Sequence, residues 1–377
     1  MGVTGPKILL LAGEESGAMY ATRLSAILRG AGAEIRGYGD YGFETSDLAV
    51  MGFWPVLRRI FFFLRVARTM KRAIREWRPD VVVTVDYPGI NLKLAAYAKG
   101  LGVPAVHVVC PQVWAWHRNR IPKVAAAVSE LLCFFPFEPA LFAGTGLEAK
   151  FIGHPLVKMV ESETGNAAAT CEAGVRTVAI LPGSRIGEIR RILPRLLKAV
   201  EMIPREGVKV VIPAANEMAK REIDGIVSAA GELPPVEVRL GGARSILREA
   251  RCAAVASGTA TLEAALARCP TVLVYAVSPM LAWFARRVIT GVRHVGLVNV
   301  VAEKCGFEPP MPELLQEAFK PEAVSAQLKE WLADDAARSS AVARLDGALV
   351  HLEADGEPLQ IAAQEVFGKV FGRKKGE

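Results

Sequence analysis

Ala256-Ser257-Gly258-Thr259-Ala260-Thr261 reads as the end of a buried strand running into the first turn of a helix. Such a turn leaves backbone N–H groups free at the positive end of the helix dipole, where an anion is favoured. Glycine at 258 lets the backbone come close to a phosphate. Glu263 stands one helical turn further in, where its carboxylate can accept ribose hydroxyls or simply face solvent. Leu181-Pro182-Gly183-Ser184-Arg185 occupies the same strand-to-loop position earlier in the same half of the chain. Arg185, beside Ser184, offers a planar multi-donor cation for a pyrophosphate. Glu188, three residues on, can orient Arg185 or face solvent. Two anion-ready loops in one half point to a diphosphate ligand. The chain has no GxxxxGK[ST] motif, which excludes a P-loop kinase or ATPase, and no GxGxxG after its first strand, which weighs against a dehydrogenase.

Carboxylates occupy the corresponding places in the first half. Asp86 ends the run Val81–Val85 and precedes Tyr87-Pro88-Gly89. A carboxylate at the end of a buried strand is a candidate general base, or a turn-capping aspartate. Glu14 and Glu15, after the first strand, are its rivals, and Ser16-Gly17 beside them can cap the next helix and line the cleft. His107 lies inside a buried run and reads as a core residue. His154, in Gly153-His154-Pro155, sits at a domain junction, where substrate contact and hinge packing both remain open.

Residues 53–78 mix large apolar and basic residues. Phe53, Trp54, Phe61, Phe62, Phe63 and Leu64 alternate with Arg58, Arg59, Arg65, Arg68, Lys71 and Arg72. That composition suits a helix at an anionic membrane surface or a groove for acyl chains. Pro111-Gln112-Val113-Trp114-Ala115-Trp116-His117 adds two tryptophans to a loop on the cleft side, with Arg118 and Arg120 close by.

The elements that must hold these residues follow an alternating pattern. Strands are expected at 7–12, 81–85, 105–109 and 131–135, with helices at 16–30 and about 91–101. After a polar stretch at 158–175 that reads as the start of a linker, the alternation resumes with strands at 178–181, 208–212, 252–256 and 271–275. Strand–helix repetition of this kind builds doubly wound parallel sheets whose ligands lie beyond the carboxyl ends of the strands. The fold class is therefore α/β, with two Rossmann-like parallel-sheet domains facing across a cleft. The expected domains are 1–157, which carries the aromatic and basic stretch, and 175–350, which carries the two anion-ready loops. A C-terminal helix within 351–377, at about 357–371, is expected to cross back to the first domain.

The 377 residues suit two domains, and 51% apolar content supplies both cores. A net charge of +7 suits an anionic partner. The basic residues cluster with phenylalanines and carry no nucleic-acid motif, so a membrane face or a phosphorylated substrate is favoured over nucleic acid. The six cysteines have no metal-ligand spacing and read as reduced structural thiols. The N-terminus has no signal-peptide pattern, and no run is long enough to span a membrane.

Nine segments, in order over about 300 residues, together resemble the lipid-A-disaccharide synthase family. They are Gly13–Gly17, Leu48–Phe53, Val85–Asn91, Pro111–Trp116, Phe134–Glu138, Phe151–Pro155, Leu181–Arg185, Ser257–Glu263 and Pro312–Gln316. The resemblance implies a GT-B glycosyltransferase that needs neither metal nor cofactor. It implies inverting transfer of 2,3-diacylglucosamine from its UDP derivative to the 6-hydroxyl of 2,3-diacylglucosamine 1-phosphate, giving a β(1→6) disaccharide and UDP. By the same resemblance Asp86 is the base. Arg185, Ser184, Ser257, Gly258, Thr259, Glu263 and Asn299 serve the nucleotide diphosphate. Ser16, Trp54, Phe61, Phe62, Phe63, Arg65 and Trp114 serve the acceptor and lipid. The implied setting is the cytoplasmic side of the inner membrane, bound peripherally, and the resemblance also suggests a homodimer exchanging C-terminal helices. Two departures stand out. Ala18 follows Ser16-Gly17 where the family usually has aspartate, and the glycine-rich loop Gly37–Gly42 is altered. The competing readings are another UDP-sugar transferase or epimerase of this fold and a non-catalytic lipid-binding paralogue.

Overall fold

The computed structural model describes residues 5–13, 15–43, 56–164, 174–278, 280, 282–283, 287 and 291–374. They divide into two compact units. Unit 1 is Met1–Pro155 with Leu352–Glu377, and unit 2 is Leu156–His351.

Unit 1 contains β1 (Lys7–Ala12), α1 (Glu15–Gly30), β2 (Glu34–Arg36), α2 (Val56–Trp77), β3 (Val81–Val85), α3 (Pro88–Gly100), β4 (Ala105–Val108), α4 (Ile121–Ala127), β5 (Glu130–Cys133) and β6 (Glu148–Phe151). The strands form a sheet in the order β2-β1-β3-β4-β5-β6, and every pair is parallel. Helices on both faces explain why β3 reads as an uninterrupted Val-Val-Val-Thr-Val run, buried at every position. One face packs Leu9, Leu11 and Val82 against Val66, Met70 and Ile74 of α2 and Leu94 of α3.

Unit 2 contains α5 (Pro155–Thr164), β7 (Arg176–Leu181), α6 (Ile186–Glu201), β8 (Val208–Ala214), α7 (Glu217–Ser228), β9 (Val236–Leu240), α8 (Ala243–Glu249), β10 (Cys252–Ala256), α9 (Thr259–Leu266), β11 (Thr271–Tyr275), α10 (Leu297–Cys305), β12 (Glu313–Leu315), α11 (Pro321–Ala333) and α12 (Asp335–Leu349). Its parallel sheet runs β12-β11-β10-β7-β8-β9. Ile189, Ile192, Leu193, Leu196 and Val200 line the buried stripe of α6 at helical spacing and cover this sheet.

The chain closes with α13 (Pro358–Lys374), which belongs to unit 1. Leu359, Ala362, Ala363, Val366 and Val370 form its buried stripe. Lys369 bridges Glu130 at 3.2 Å and Glu148 at 2.6 Å, and Lys150 pairs with Glu365. Burial raises the Glu130 carboxyl against the pull of Lys369.

Both parallel sheets are as expected from the alternation. The segment read as the start of a linker differs in its first part, because α5 continues to Thr164. Leu156, Val157, Met159 and Val160 are buried there, and that apolar packing overrides the polar composition that follows.

Candidate active site

In a doubly wound sheet the ligand crevice opens where the strand order reverses. In unit 1 that point lies between β1 and β3, so the loops after Ala12 and Val85 flank it. In unit 2 it lies between β7 and β10, so the loops after Leu181 and Ala256 flank it.

Asp86 and Tyr87 follow β3 with φ of 52° and 51°, a left-handed pair rare for non-glycine residues. Strain of this kind persists only where neighbours over-determine it. Here Asp86 N–H donates to Val108 O at 2.9 Å, and the Asp86 carboxylate accepts Tyr87 N–H at 2.7 Å. Asn91, fully buried, donates to Asp86 O at 2.8 Å and to Leu11 O and Val85 O at 3.3 Å, while Tyr38 donates to its carbonyl at 2.8 Å. One amide therefore ties the ends of β1 and β3 to the Asp86 turn.

Gly13 before α1 and Gly17 in its first turn complete this packing. A Cβ at Gly13 would lie 2.3 Å from the Tyr87 ring, and one at Gly17 would lie 3.1 Å from Asp86 Cβ. The first loop needs glycine there so that it can pass against the Asp86 turn. Of its expected site residues, Glu14 lies outside the described residues. Glu15 and Ser16 lie in the first turn of α1, but their side chains are outside the description.

In unit 2 a cavity of about 360 Å³ opens at the sheet switch, a volume in the range of small-ligand sites. Gly183, Ser184, Arg185, Ser257, Gly258 and Thr259 line it, with Ala214 and Gly241 at the ends of β8 and β9. The first turns of α6 and α9 leave backbone N–H groups without intrahelical partners. Gly258 holds φ of 151° and Gly183 holds 104°, so both turns need glycine. Arg185 is exposed, and its guanidinium donates to Glu188 at 3.1 Å. That ion pair uses one edge of the fork and leaves N–H donors for oxygen ligands.

Other expected site residues stand elsewhere. Glu263 is not among the residues lining the cavity. Its carboxylate accepts from Arg244 at 2.9 Å, a partner that sequence spacing did not reveal because Arg244 sits on a different helix, α8. Asn299 is fully buried on α10. It donates to Met311 O and to Glu313 at 2.8 Å and accepts Met311 N–H at 3.0 Å. Its amide holds Met311 and the start of β12.

Trp114, expected to touch acceptor or lipid, is 4% exposed, whereas Trp116 is 39% exposed. The Trp114 indole donates to Glu138 at 2.9 Å and packs edge-on to Phe135 and Phe137. Trp114 is thus an anchor of its loop, and Trp116 is the presented ring. Trp54 lies outside the described residues. On α2 the outward residues are Phe61, Leu64, Arg65, Arg68, Arg72, Arg75 and Glu76, with Arg72 paired to Glu76 at 2.7 Å, while Val66, Met70, Ala73 and Ile74 face the core. Phe61 is 68% exposed, but Phe62 and Phe63 are half-buried against Phe43 and Tyr87. Arg65 lies over the rings of Phe43 and Phe62. The three phenylalanines therefore divide between core and surface, as helical geometry requires.

The parallel pairing of β4 and β5 brings Cys110, Cys133 and Glu138 together, with ligand atoms within 4.8 Å of one another. Chain spacing gave no sign of this. The Cys110 thiol is pushed up by its bond to Cys133 and by burial. Glu138 is pushed up to about 8 by burial, against the bonds from Phe135 N–H and Trp114. His107 is fully buried beside Thr84, 2.7 Å away, and burial lowers it to about 4. His154, in a cage of Tyr20, Phe134 and Phe135, is lowered to about 3 for the same reason.

These shifts have opposite effects on stability. Glu138 ionises near 4.5 when unfolded and holds its proton to about 8 when folded, so its contribution falls as pH rises through that window. The histidines take up protons near 6.5 only when unfolded, so stability also falls as pH drops below that value. Glu138→Gln is expected to lower stability at low pH, because its amide nitrogen would face an N–H donor. It should also remove a slope of up to about 1.4 kcal/mol per pH unit between the two Glu138 values. Urea midpoints measured from pH 5 to 8 check this; equal slopes in both proteins contradict it.

The comparisons with known proteins agree with this architecture. The family model described as lipid-A-disaccharide synthetase matches residues 8–357. The lipid-A-disaccharide synthase of Anaeromyxobacter sp. (strain K) is 36% identical over 380 residues, covering 96% of this chain and 97% of that protein. That of Neisseria meningitidis serogroup C is 35% identical over 346 residues, covering 86% and 88%. Among solved structures, the UDP-GlcNAc 2-epimerase from Neisseria meningitidis bound to UDP-GlcNAc superimposes with a TM-score of 0.63 at 11% identity, covering 96% of this chain and all of that one. The calicheamicin glycosyltransferase CalG4 gives 0.57 at 18% identity, covering 97% and 98%. The structural likenesses establish the two-domain fold of GT-B glycosyltransferases and related epimerases. The match along nearly the whole sequence goes further: the chain belongs to the lipid-A-disaccharide synthetase family.

Proposed function

We propose that this glycosyltransferase moves 2,3-diacylglucosamine from its UDP derivative to the 6-hydroxyl of 2,3-diacylglucosamine 1-phosphate, with inversion. The family match over residues 8–357 carries the choice of substrates. The chemistry rests on this chain's own residues. Asp86 takes the proton from the acceptor hydroxyl as that oxygen attacks the anomeric carbon. The glycosidic C–O bond to the diphosphate breaks, and negative charge collects on UDP. Arg185 and the free N–H groups opening α6 and α9 stabilise that charge. Glu188 holds the Arg185 fork in place.

The deciding assay is UDP release in mixed micelles containing donor and acceptor. Acceptor-dependent UDP with a disaccharide product supports this function. Activity on unacylated UDP-GlcNAc without a lipid acceptor supports an epimerase or another transferase, and lipid binding without turnover supports a non-catalytic paralogue.

The outward stripe of α2 also supports peripheral attachment to the inner-membrane face, since Phe61 and Leu64 can enter the headgroup layer while Arg65, Arg68, Arg72 and Arg75 meet anionic lipid. Among the described residues no helix is long and apolar enough to cross a membrane. Phe61→Ser with Leu64→Ser is expected to weaken vesicle binding by about tenfold or more, from the apolar area withdrawn. Turnover of a short-chain soluble acceptor should stay near normal. Co-sedimentation with vesicles containing anionic phospholipid checks the first expectation, and equal binding by both proteins contradicts it.

A further inference from the structure

The loop between β4 and α4 carries a compact basic group that the chemistry above leaves unused. From Pro111 to Ala127 the chain contains His117, Arg118, Arg120 and Lys123 and no Asp or Glu. Arg118 and Lys123 are exposed and Arg120 is half-buried, and among the described residues no ion pair joins any of them to a carboxylate. Elsewhere on the molecule basic side chains are commonly paired, as in Arg190–Glu222 and Arg268–Asp346.

The loop is held firmly beneath this charge. Val113, Trp114 and Ala115 are buried, and the Trp114–Glu138 bond ties the loop to the turn after β5. Ala115 and Trp116 N–H both donate to Gln112 O, at 3.1 and 3.3 Å. His117 then takes a left-handed turn, with φ of 57°, and its carbonyl accepts Arg120 N–H at 2.9 Å. The Arg120 guanidinium lies 5.9 Å from the Trp116 ring centroid, and the His117 ring lies 5.1 Å from it on a tilt. Holding cations on an ordered loop lowers the entropy cost of binding an anion. Asp86 N–H bonds to Val108 O, so this loop and the Asp86 turn leave adjacent strands at the same end of one sheet.

We infer that Arg118 and Arg120, presented beside Trp116, bind the phosphate monoester of the lipid monosaccharide acceptor and make the enzyme selective for a phosphorylated acceptor. Lys123 supports them as a more distant charge. This inference rests on the proposed function, which supplies the acceptor's chemistry. The other source of the same chemistry is the phosphate headgroup of a membrane lipid, and the test separates the two.

The test compares kcat/KM for the 1-phosphate acceptor and for the same acylated sugar without the phosphate. Wild-type protein, Arg118→Gln/Arg120→Gln and Arg118→Lys/Arg120→Lys are assayed in neutral-detergent micelles, and UDP binding and binding to vesicles with anionic phospholipid are measured in parallel. Hydrogen bonds to charged groups are worth about 1.5–3 kcal/mol, or about 10–150-fold. The Gln pair should therefore raise KM for the phosphorylated acceptor by about that factor. It should bring the two acceptors within about threefold of each other, with kcat and UDP binding little changed. The Lys pair should fall between, because it keeps charge and loses the fork. Unaltered selectivity in the Gln pair overturns the inference, and so does a loss confined to anionic-vesicle binding, which would assign the loop to lipid headgroups. A wild-type protein that binds UDP but never uses the phosphorylated acceptor overturns the proposed function instead.

Discussion

Asp86→Asn is expected to lower kcat by about 10²–10⁴-fold, the usual contribution of a positioned general base, with little change in stability or in UDP binding. The substitution keeps the turn. Asparagine tolerates the left-handed φ of 52° at this position, and its amide oxygen can still accept Tyr87 N–H, now 2.7 Å from the carboxylate. The Asn91 bond goes to the Asp86 main-chain oxygen and is untouched. The variant keeps these bonds and loses proton acceptance. Asp86→Ala is a poorer test, because it places a residue with no local hydrogen bond in a strained turn. Near-normal turnover by Asp86→Asn, measured as acceptor-dependent UDP release, would shift the base to Glu14 or Glu15. Asn91→Ala should resemble a milder Asp86 lesion with lower stability as well, since it unties three carbonyls at the ends of β1 and β3.

Arg185 is expected to show the second large effect. Arg185→Ala removes a charged donor at the diphosphate and should cost about 10²–10³-fold in kcat, as for other groups that stabilise developing negative charge. Arg185→Lys should recover only part, because a point charge cannot span two oxygens as the guanidinium does. Thermal stability should hardly move. The Arg185 side chain is 64% exposed, and its pair with Glu188 is a surface ion pair of small energetic weight. Glu188→Gln should therefore lose far less activity than Arg185→Ala. Steady-state rates at saturating acceptor check the order. An Arg185→Ala enzyme with normal kcat and only a raised KM would mean that Arg185 binds the donor equally in ground and transition states.

The resemblance implies an acid where Ala18 stands, in α1 one residue beyond Gly17, which packs on the Asp86 turn. Asp86 does not depend on that side chain for its turn, because Tyr87 N–H within the turn, Val108 O of β4 and Asn91 of α3 fix it.

The two parallel sheets, the loops that follow β1, β3, β7 and β10, and the family itself were legible in the sequence, because each depends on local patterns. Buried parallel strands need unbroken apolar runs such as Val81–Val85, and anion-binding helix starts need glycine beside small polar residues, as at Ser257-Gly258-Thr259. The partners of the side chains were not legible. Trp114 and Trp116 are identical in type and two residues apart, yet one is buried on Glu138 and the other presented to solvent. Phe61 faces out while Phe62 and Phe63 pack inward, which depends on how α2 is rotated against the sheet. Glu263 is held by Arg244 across a helix boundary, Asn299 holds Met311 and the start of β12, and Cys110, Cys133 and Glu138 meet only because β4 and β5 are neighbours. Local sequence determines which backbone conformations and helix termini are available, because those depend on residues a few positions apart. Which side chains remain free for a ligand is decided by tertiary packing, because each buried polar group must first find a partner from elsewhere in the chain.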